Sequence, residues 1–129
     1  MIKSMSKIKN LIVLAALLLN VFMIGAQAVC PKREFRGAWI QCINGQFQGM
    51  PVEAMKKTLV GQLDKLEEAG INAIIFQVRA EADALYKSSY EPWSRFLTGI
   101  QGLAPSPSWD PLQFMIDECH KRGMELHAW

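Results

Sequence analysis

Twice in this chain a helical stripe of apolar residues ends at a glycine and gives way almost at once to a β-forming run, and that repeat leaves few folds open. The first stripe is Val52, Met55, Leu59, Leu63 and Leu66, spaced by threes and fours within residues 51–69. Gly70 follows, then Ile71-Asn-Ala-Ile-Ile-Phe-Gln-Val78. The second stripe is Leu112, Met115, Ile116 and Cys119, followed by Gly123 and Met124-Glu-Leu-His-Ala-Trp129. Phe35-Arg-Gly-Ala-Trp-Ile-Gln41 supplies an earlier strand. A run as apolar as 71–78 suits a strand buried on both faces, the pattern of parallel sheets. The order is β-α-β-α-β, with right-handed crossovers expected. Residues 35–41, 72–79 and 125–129 are expected to be adjacent parallel strands in the order one-two-three, with both helices on one face.

The helix ends carry matching punctuation. Pro51 suits a first helical turn and Gly70 a left-handed cap. Asp110 is an N-cap candidate, Pro111 takes the first helical position, and Gln113 is placed to complete a capping box. His120, Lys121 and Arg122 lie at the negative end of the second helix dipole, before Gly123. Two architectures fit such a repeat, a (β/α)8 barrel and an open doubly wound sheet. Ile43-Asn-Gly-Gln-Phe-Gln-Gly49 lacks the G-x-G-x-x-G order of a dinucleotide loop, which favours the barrel. The last strand reaches Trp129 with nothing after it to turn, cap or cover it. The expected fold class is therefore α/β, the N-terminal β-α-β-α-β portion of a (β/α)8 TIM barrel truncated after its third strand.

Residues 1–28 read as a signal peptide, leaving 29–129 as the barrel part. Lys3, Lys7 and Lys9 precede an apolar run from Leu11 to Ala26, and Ala26-Gln27-Ala28 fits a small-x-small cleavage site. The run is short for a membrane span, with an uncleaved anchor as the alternative. Gln27 and Val29 fit poorly around an acylated cysteine, which argues against lipoprotein anchoring at Cys30. The reading is therefore an exported protein with no stable membrane insertion after cleavage. Of the 14 basic residues the leader holds three and none of the 12 acidic ones, so the remainder is close to neutral. Nothing in that balance points to nucleic acid. Cys30, Cys42 and Cys119 cannot all pair within the chain. The last two, at a strand end and on an apolar helix face, read as small buried thiols. No CxxC or Cys/His spacing suggests a metal, and no motif calls for a cofactor.

The segment from Arg79 to Trp109 is far longer than an ordinary βα connection of about 2–6 residues. It holds Leu85, Tyr86, Tyr90, Trp93, Phe96, Leu97 and Trp109, so it reads as an ordered excursion above the C-terminal strand ends, the active-site face of a barrel. Each strand ends in two polar or aromatic residues two apart, hence on one face: Trp39 and Gln41, Gln77 and Arg79, His127 and Trp129. Indole faces packing on sugar C–H surfaces, with amide, guanidinium and imidazole groups meeting hydroxyls, would bind a glycan. The plainer readings are core tryptophans, a satisfied buried histidine, and an Arg79 that pairs with Glu81 or Asp83. Glycoside hydrolysis usually uses two carboxylates about 5–10 Å apart. Glu81, Asp83 and Glu91 lie in the excursion, where spacing fixes no geometry, so the catalytic residues stay unassigned.

Several of these motifs together resemble the bacterial glycosyl-hydrolase-like family 10 proteins. They are Phe35-Arg-Gly-Ala-Trp39, Asn72-Ala-Ile-Ile-Phe-Gln-Val-Arg79, Asp83-Ala-Leu-Tyr86 and Pro92-Trp93, then Leu97-Thr-Gly99, Gly102, Trp109-Asp-Pro-Leu112 and His120-Lys-Arg-Gly-Met-Glu-Leu-His-Ala-Trp129. The resemblance implies an exported (β/α)8-barrel glycosidase, some members being lipoproteins, acting on a polysaccharide or glycan. Family members often carry Pro where this chain has Ala80, and their third strand usually runs on into an Asn-Pro-aromatic-Arg sequence. In many barrel glycosidases the catalytic carboxylates follow strand four and a later strand, so this portion alone is expected to be inactive. The candidate substrate-binding residues are Trp39, Gln77, Arg79, Asp83, Trp93, His127 and Trp129. A carbohydrate-binding barrel without hydrolytic activity is the alternative, and a barrel enzyme such as a polysaccharide deacetylase a third.

Overall fold

A computed structural model describes residues 34–129; residues 1–28, read as a signal peptide, and Cys30 lie outside the described residues. Three short strands, β1 (Gly37–Ile40), β2 (Ala73–Phe76) and β3 (Glu125–Ala128), form one parallel sheet in the order β1-β2-β3. Three helices connect them: α1 (Val52–Glu68) between β1 and β2, then the single turn α2 (Arg95–Thr98) and α3 (Pro111–Lys121) between β2 and β3. The expected strand order and parallel sense are both present. No helix among the described residues is long and apolar enough to cross a membrane.

Both long helices lie on the same face of the sheet. Ile40, Ile74 and Phe76 point into a core that also takes Met55, Leu59 and Leu63 from α1 and Met115 and Cys119 from α3. Burying each large side chain of this kind contributes roughly 1.5–3 kcal/mol. This arrangement is common to a barrel and to one half of a doubly wound sheet.

The glycine after each stripe closes its helix in the same way. At α1, Gly70 adopts φ 78, its N–H bonds Glu67 O at 2.8 Å, and Ile71 N–H bonds Leu66 O at 2.9 Å. At α3, Gly123 adopts φ 67, its N–H bonds His120 O at 3.0 Å, and Met124 N–H bonds Cys119 O at 3.0 Å. Both are Schellman closures, which need a left-handed residue and turn the chain straight into the next strand. The helix starts differ from expectation in detail. Pro51 stands one position before α1 rather than inside it. Asp110 Oδ1 accepts the Gln113 N–H at 3.0 Å, but the Gln113 amide donates to Asp117 at 2.9 Å, so only half of the capping box forms.

The excursion after β2 is ordered and packed. Ala84 and Trp93 form an isolated parallel bridge, and Leu85 N–H bonds Val78 O at 2.9 Å. Ser94 Oγ accepts the Phe96 N–H to start α2, whose Leu97 carbonyl accepts Gly49 N–H from the β1–α1 loop. Leu85, Phe96 and Leu97 are buried, whereas Tyr90 stands in solvent. Cys42 and Cys119 are both buried free thiols.

Candidate functional site

The odd-numbered strand residues occupy the sheet face away from the helices. Backbone register sets Trp39, Ile75 and His127 in one row across the three strands, with Gly37, Ala73 and Glu125 in the row before. The ladder continues past the strand ends: Gln77 N–H bonds Ile40 O at 2.9 Å, and Trp129 N–H bonds Phe76 O at 2.8 Å. Gln41, Gln77 and Trp129 therefore make the next row at the C-terminal ends.

This face is aromatic and open. Trp39 is 71% exposed and Trp129 56%, and their rings lie 5.9 Å apart at 40°. With Gln41 they line a cavity of about 220 Å³. Phe35 reaches across Gly37 to meet the His127 ring edge-on, with centroids 5.5 Å apart. Glycine leaves room for this contact, because a Cβ on residue 37 would stand 2.8 Å from the Phe35 ring and 2.9 Å from Ile75 Cδ1 and would make one of them shift. His127 Nε2 lies 3.3 Å from Glu125 Oε2, so a carboxylate is at hand to hold the imidazole.

Gln77 is nearly buried, and its Oε1 accepts the Cys42 N–H at 3.0 Å and the Cys42 thiol at 3.5 Å. Burial, seconded by the Asp83 charge, pushes that thiol up to about 11. It therefore keeps its proton at neutral pH and can donate to the amide.

The charges beyond β2 sort into separate partnerships. Arg79 pairs with Glu91, and not with Glu81 or Asp83, the ion-pair partners weighed in the sequence beside a ligand-binding role. Glu91 Oε2 also accepts the Tyr86 hydroxyl at 3.3 Å. Glu81 receives a two-pronged bond from Arg95, 2.8 Å on each prong, and that hydrogen bonding holds its carboxyl below the usual range. Asp83 is fully buried; its Oδ1 accepts the Glu81 N–H at 3.1 Å and the Ala80 N–H at 3.3 Å, while Oδ2 meets no donor among the described residues.

Of the seven candidate residues, Trp39, Gln77, His127 and Trp129 share the open face, and Arg79 lies three residues beyond β2 with its backbone N–H on the Trp129 carbonyl at 3.3 Å. Asp83 is buried within the excursion, and Trp93, half-buried, packs against the apolar core. Phe35, absent from the candidates, belongs to the same face. Its even spacing, two residues from Gly37 and four from Trp39, was the signal for it. No group of three or more metal-ligating side chains occurs among the described residues.

A parallel βα protein with indole, amide, guanidinium and imidazole groups at its C-terminal strand ends has the recognition chemistry for a polyhydroxylated ligand. The chain belongs to the family described as glycosyl hydrolase-like 10, whose model matches residues 34–129. It is 43% identical over 112 residues to the glycosyl hydrolase YngK of Bacillus subtilis, covering 84% of this chain and 21% of that protein. It is 47% identical over 110 residues to the glycosyl hydrolase DigH of Escherichia coli K12, covering 76% of this chain and 24% of that protein. The chain thus spans between a fifth and a quarter of the length of these curated relatives.

Proposed function

We propose that residues 29–129 form the first three strands of a (β/α)8 barrel in an exported glycoside hydrolase acting on a polysaccharide or glycan, with residues 1–28 as its signal peptide. The observation that carries this reading is the open sheet face, where Trp39 and Trp129 present indole rings beside Gln77, Arg79 and His127 in a glycosyl hydrolase-like chain. In a barrel this face is the interior and the C-terminal ends are the mouth. The indoles would stack on sugar rings, Arg79 and His127 would meet hydroxyl or carboxylate oxygens, and Gln77 would brace β2 against the β1–α1 loop. Asp83 and Trp93 would support the mouth from behind by shaping the excursion.

Catalysis needs two carboxylates facing each other across the scissile bond. Glu81 is forked by Arg95, Asp83 is buried on backbone N–H groups, and Glu91 is paired with Arg79. The catalytic pair is therefore proposed to come from later strands, and residues 29–129 alone to hydrolyse nothing. The test is release of reducing ends from a panel of purified polysaccharides by the full-length protein, beside its Arg79→Ala variant. Turnover by the wild type, weakened or abolished by Arg79→Ala with the fold intact, supports the reading. Glycan binding without any turnover would replace it with a carbohydrate-binding barrel. Hydrolysis by residues 29–129 alone would move the catalytic carboxylates into the excursion.

A further inference from the structure

We infer that Glu91 is a positioning residue: with Tyr86 it aims the Arg79 guanidinium at the C-terminal end of β2, leaving its other N–H groups for a glycan hydroxyl or carboxylate. The inference rests on the function proposed above and adds to it a determinant of how that site binds.

Arg95, Arg122 and Arg79 use the donors of their ion pairs differently. Arg95 gives two N–H groups to Glu81 in a fork, and both side chains are about half exposed. Arg122 is mostly covered and spreads its N–H groups over Asp64 and Glu118. Arg79 is 52% exposed and gives one Nη to Glu91; among the described residues its remaining N–H groups meet no acceptor. It also stands beside the open face, since its backbone N–H bonds the carbonyl of Trp129 at 3.3 Å.

Glu91 is built to hold rather than to be held. Its side chain is only 20% exposed. Tyr86 hydroxyl donates to its Oε2 at 3.3 Å, and Ser88 Oγ accepts its N–H at 3.2 Å and the Tyr90 N–H at 3.1 Å. The loop from Tyr86 to Glu91 is thus a brace whose free carboxylate oxygen meets the guanidinium. A free arginine surrenders much rotamer entropy when it binds, and orienting it beforehand removes that cost from the binding step. Five N–H donors in a planar fork allow one to be anchored while others face the ligand.

The experiment compares wild type, Arg79→Ala, Glu91→Gln, Glu91→Asp, Tyr86→Phe and the Arg79→Ala/Glu91→Gln double variant in the full-length protein. Each is measured on a soluble oligosaccharide that the wild type cleaves. Glu91→Gln should raise KM by about tenfold, the loss expected when a charge-assisted contact is disordered, with kcat changed much less. Tyr86→Phe should do the same more weakly, Glu91→Asp should recover part of the loss, and the double variant should be no worse than Arg79→Ala alone. A purely structural role would instead lower kcat through the folded fraction and make the two substitutions additive. A readout without turnover is the nitrogen NMR of the Arg79 guanidinium: its Nη rotation should be slow in the wild type and fast in Glu91→Gln. Unchanged KM in Glu91→Gln, an additive double variant, or slow rotation that survives the substitution overturns the inference alone. A wild type that neither binds nor cleaves any glycan overturns the functional reading, and this inference with it.

Discussion

Replacing Arg122 tests how the two long helices are locked together on the sheet. Its side chain is 13% exposed. It donates to Asp64 Oδ1 on α1 at 2.6 and 3.0 Å, and to the carbonyl and Oε2 of Glu118 on α3 at 2.8 and 2.9 Å. Arg122→Met keeps the apolar stem and removes the charge. Asp64 is 53% exposed, so its share is that of a solvated pair, about 0.2–1 kcal/mol. Glu118 is as covered as the arginine, and hydrogen bonds to charged groups there are worth about 1.5–3 kcal/mol. Lys121, 2.6 Å from Glu118 Oε1, remains as a partial partner and places that share toward the lower end. Together these give a loss of about 2–3 kcal/mol, read as a lower urea midpoint at constant slope. Arg122→Lys should lose about half as much, because it keeps the charge but not the fork. In double-mutant cycles the coupling of Arg122 to Glu118 should exceed its coupling to Asp64, despite the shorter Asp64 distance. A loss below about 0.5 kcal/mol for Arg122→Met, or the reverse order of couplings, would refute the view that burial rather than distance decides these bonds.

Three further outcomes follow from the same physics. Hydrogen bonds from Arg122, then Lys121, hold the Glu118 carboxyl below its ordinary 4.5, so its stabilisation is present above that value and is lost as pH falls through the lower folded value; urea titrations in acid should show a steeper loss for wild type than for Glu118→Gln. Burial pushes the Cys42 and Cys119 thiols up to about 11, so peptides carrying them should stay unalkylated by iodoacetamide at pH 8 until urea is added; rapid labelling of the folded protein would contradict this. Asp83→Ala should cost about 1–3 kcal/mol by stranding two backbone N–H groups, whereas Asp83→Asn, which keeps an acceptor, should cost less than about 1 kcal/mol; equal losses would show that the negative charge itself matters.

The fold was legible because its signals are local. Helical spacing named the buried residues of α1, and Gly70 and Gly123 marked where each chain turns into a strand. The strands came out shorter than their β-forming runs, 37–40 against 35–41 and 73–76 against 72–79. Side-chain bonds take over at their ends: Gln77 Oε1 meets the Cys42 N–H where another rung would form, and Asn72 Oδ1 accepts the Arg36 N–H at 2.8 Å. Propensity marks a β-forming run, whereas side-chain competition sets where its ladder stops. The open face was equally legible, since parity along a strand decides which residues share it.

The partners of the excursion's charges were not legible, and one turn explains why. Arg79 is two residues from Glu81 and four from Asp83, so sequence distance favoured either over Glu91. Ala82 adopts φ 53, a left-handed conformation uncommon outside glycine, and this accompanies a tight turn with the Asp83 carboxylate on the N–H groups of Ala80 and Glu81. That withdraws Asp83 from the surface. Glu81, facing outward, meets Arg95, fourteen residues on, and forms the fork. With both near acids engaged, Arg79 is left to Glu91, which the Tyr86–Ser88 brace brings to the strand end. Neither ion pair has a helical or strand period behind it, so no periodicity in the sequence encodes it. Both depend on the backbone of a single turn, and the charge placed beyond the C-terminal end of β2 is a consequence of that turn's shape.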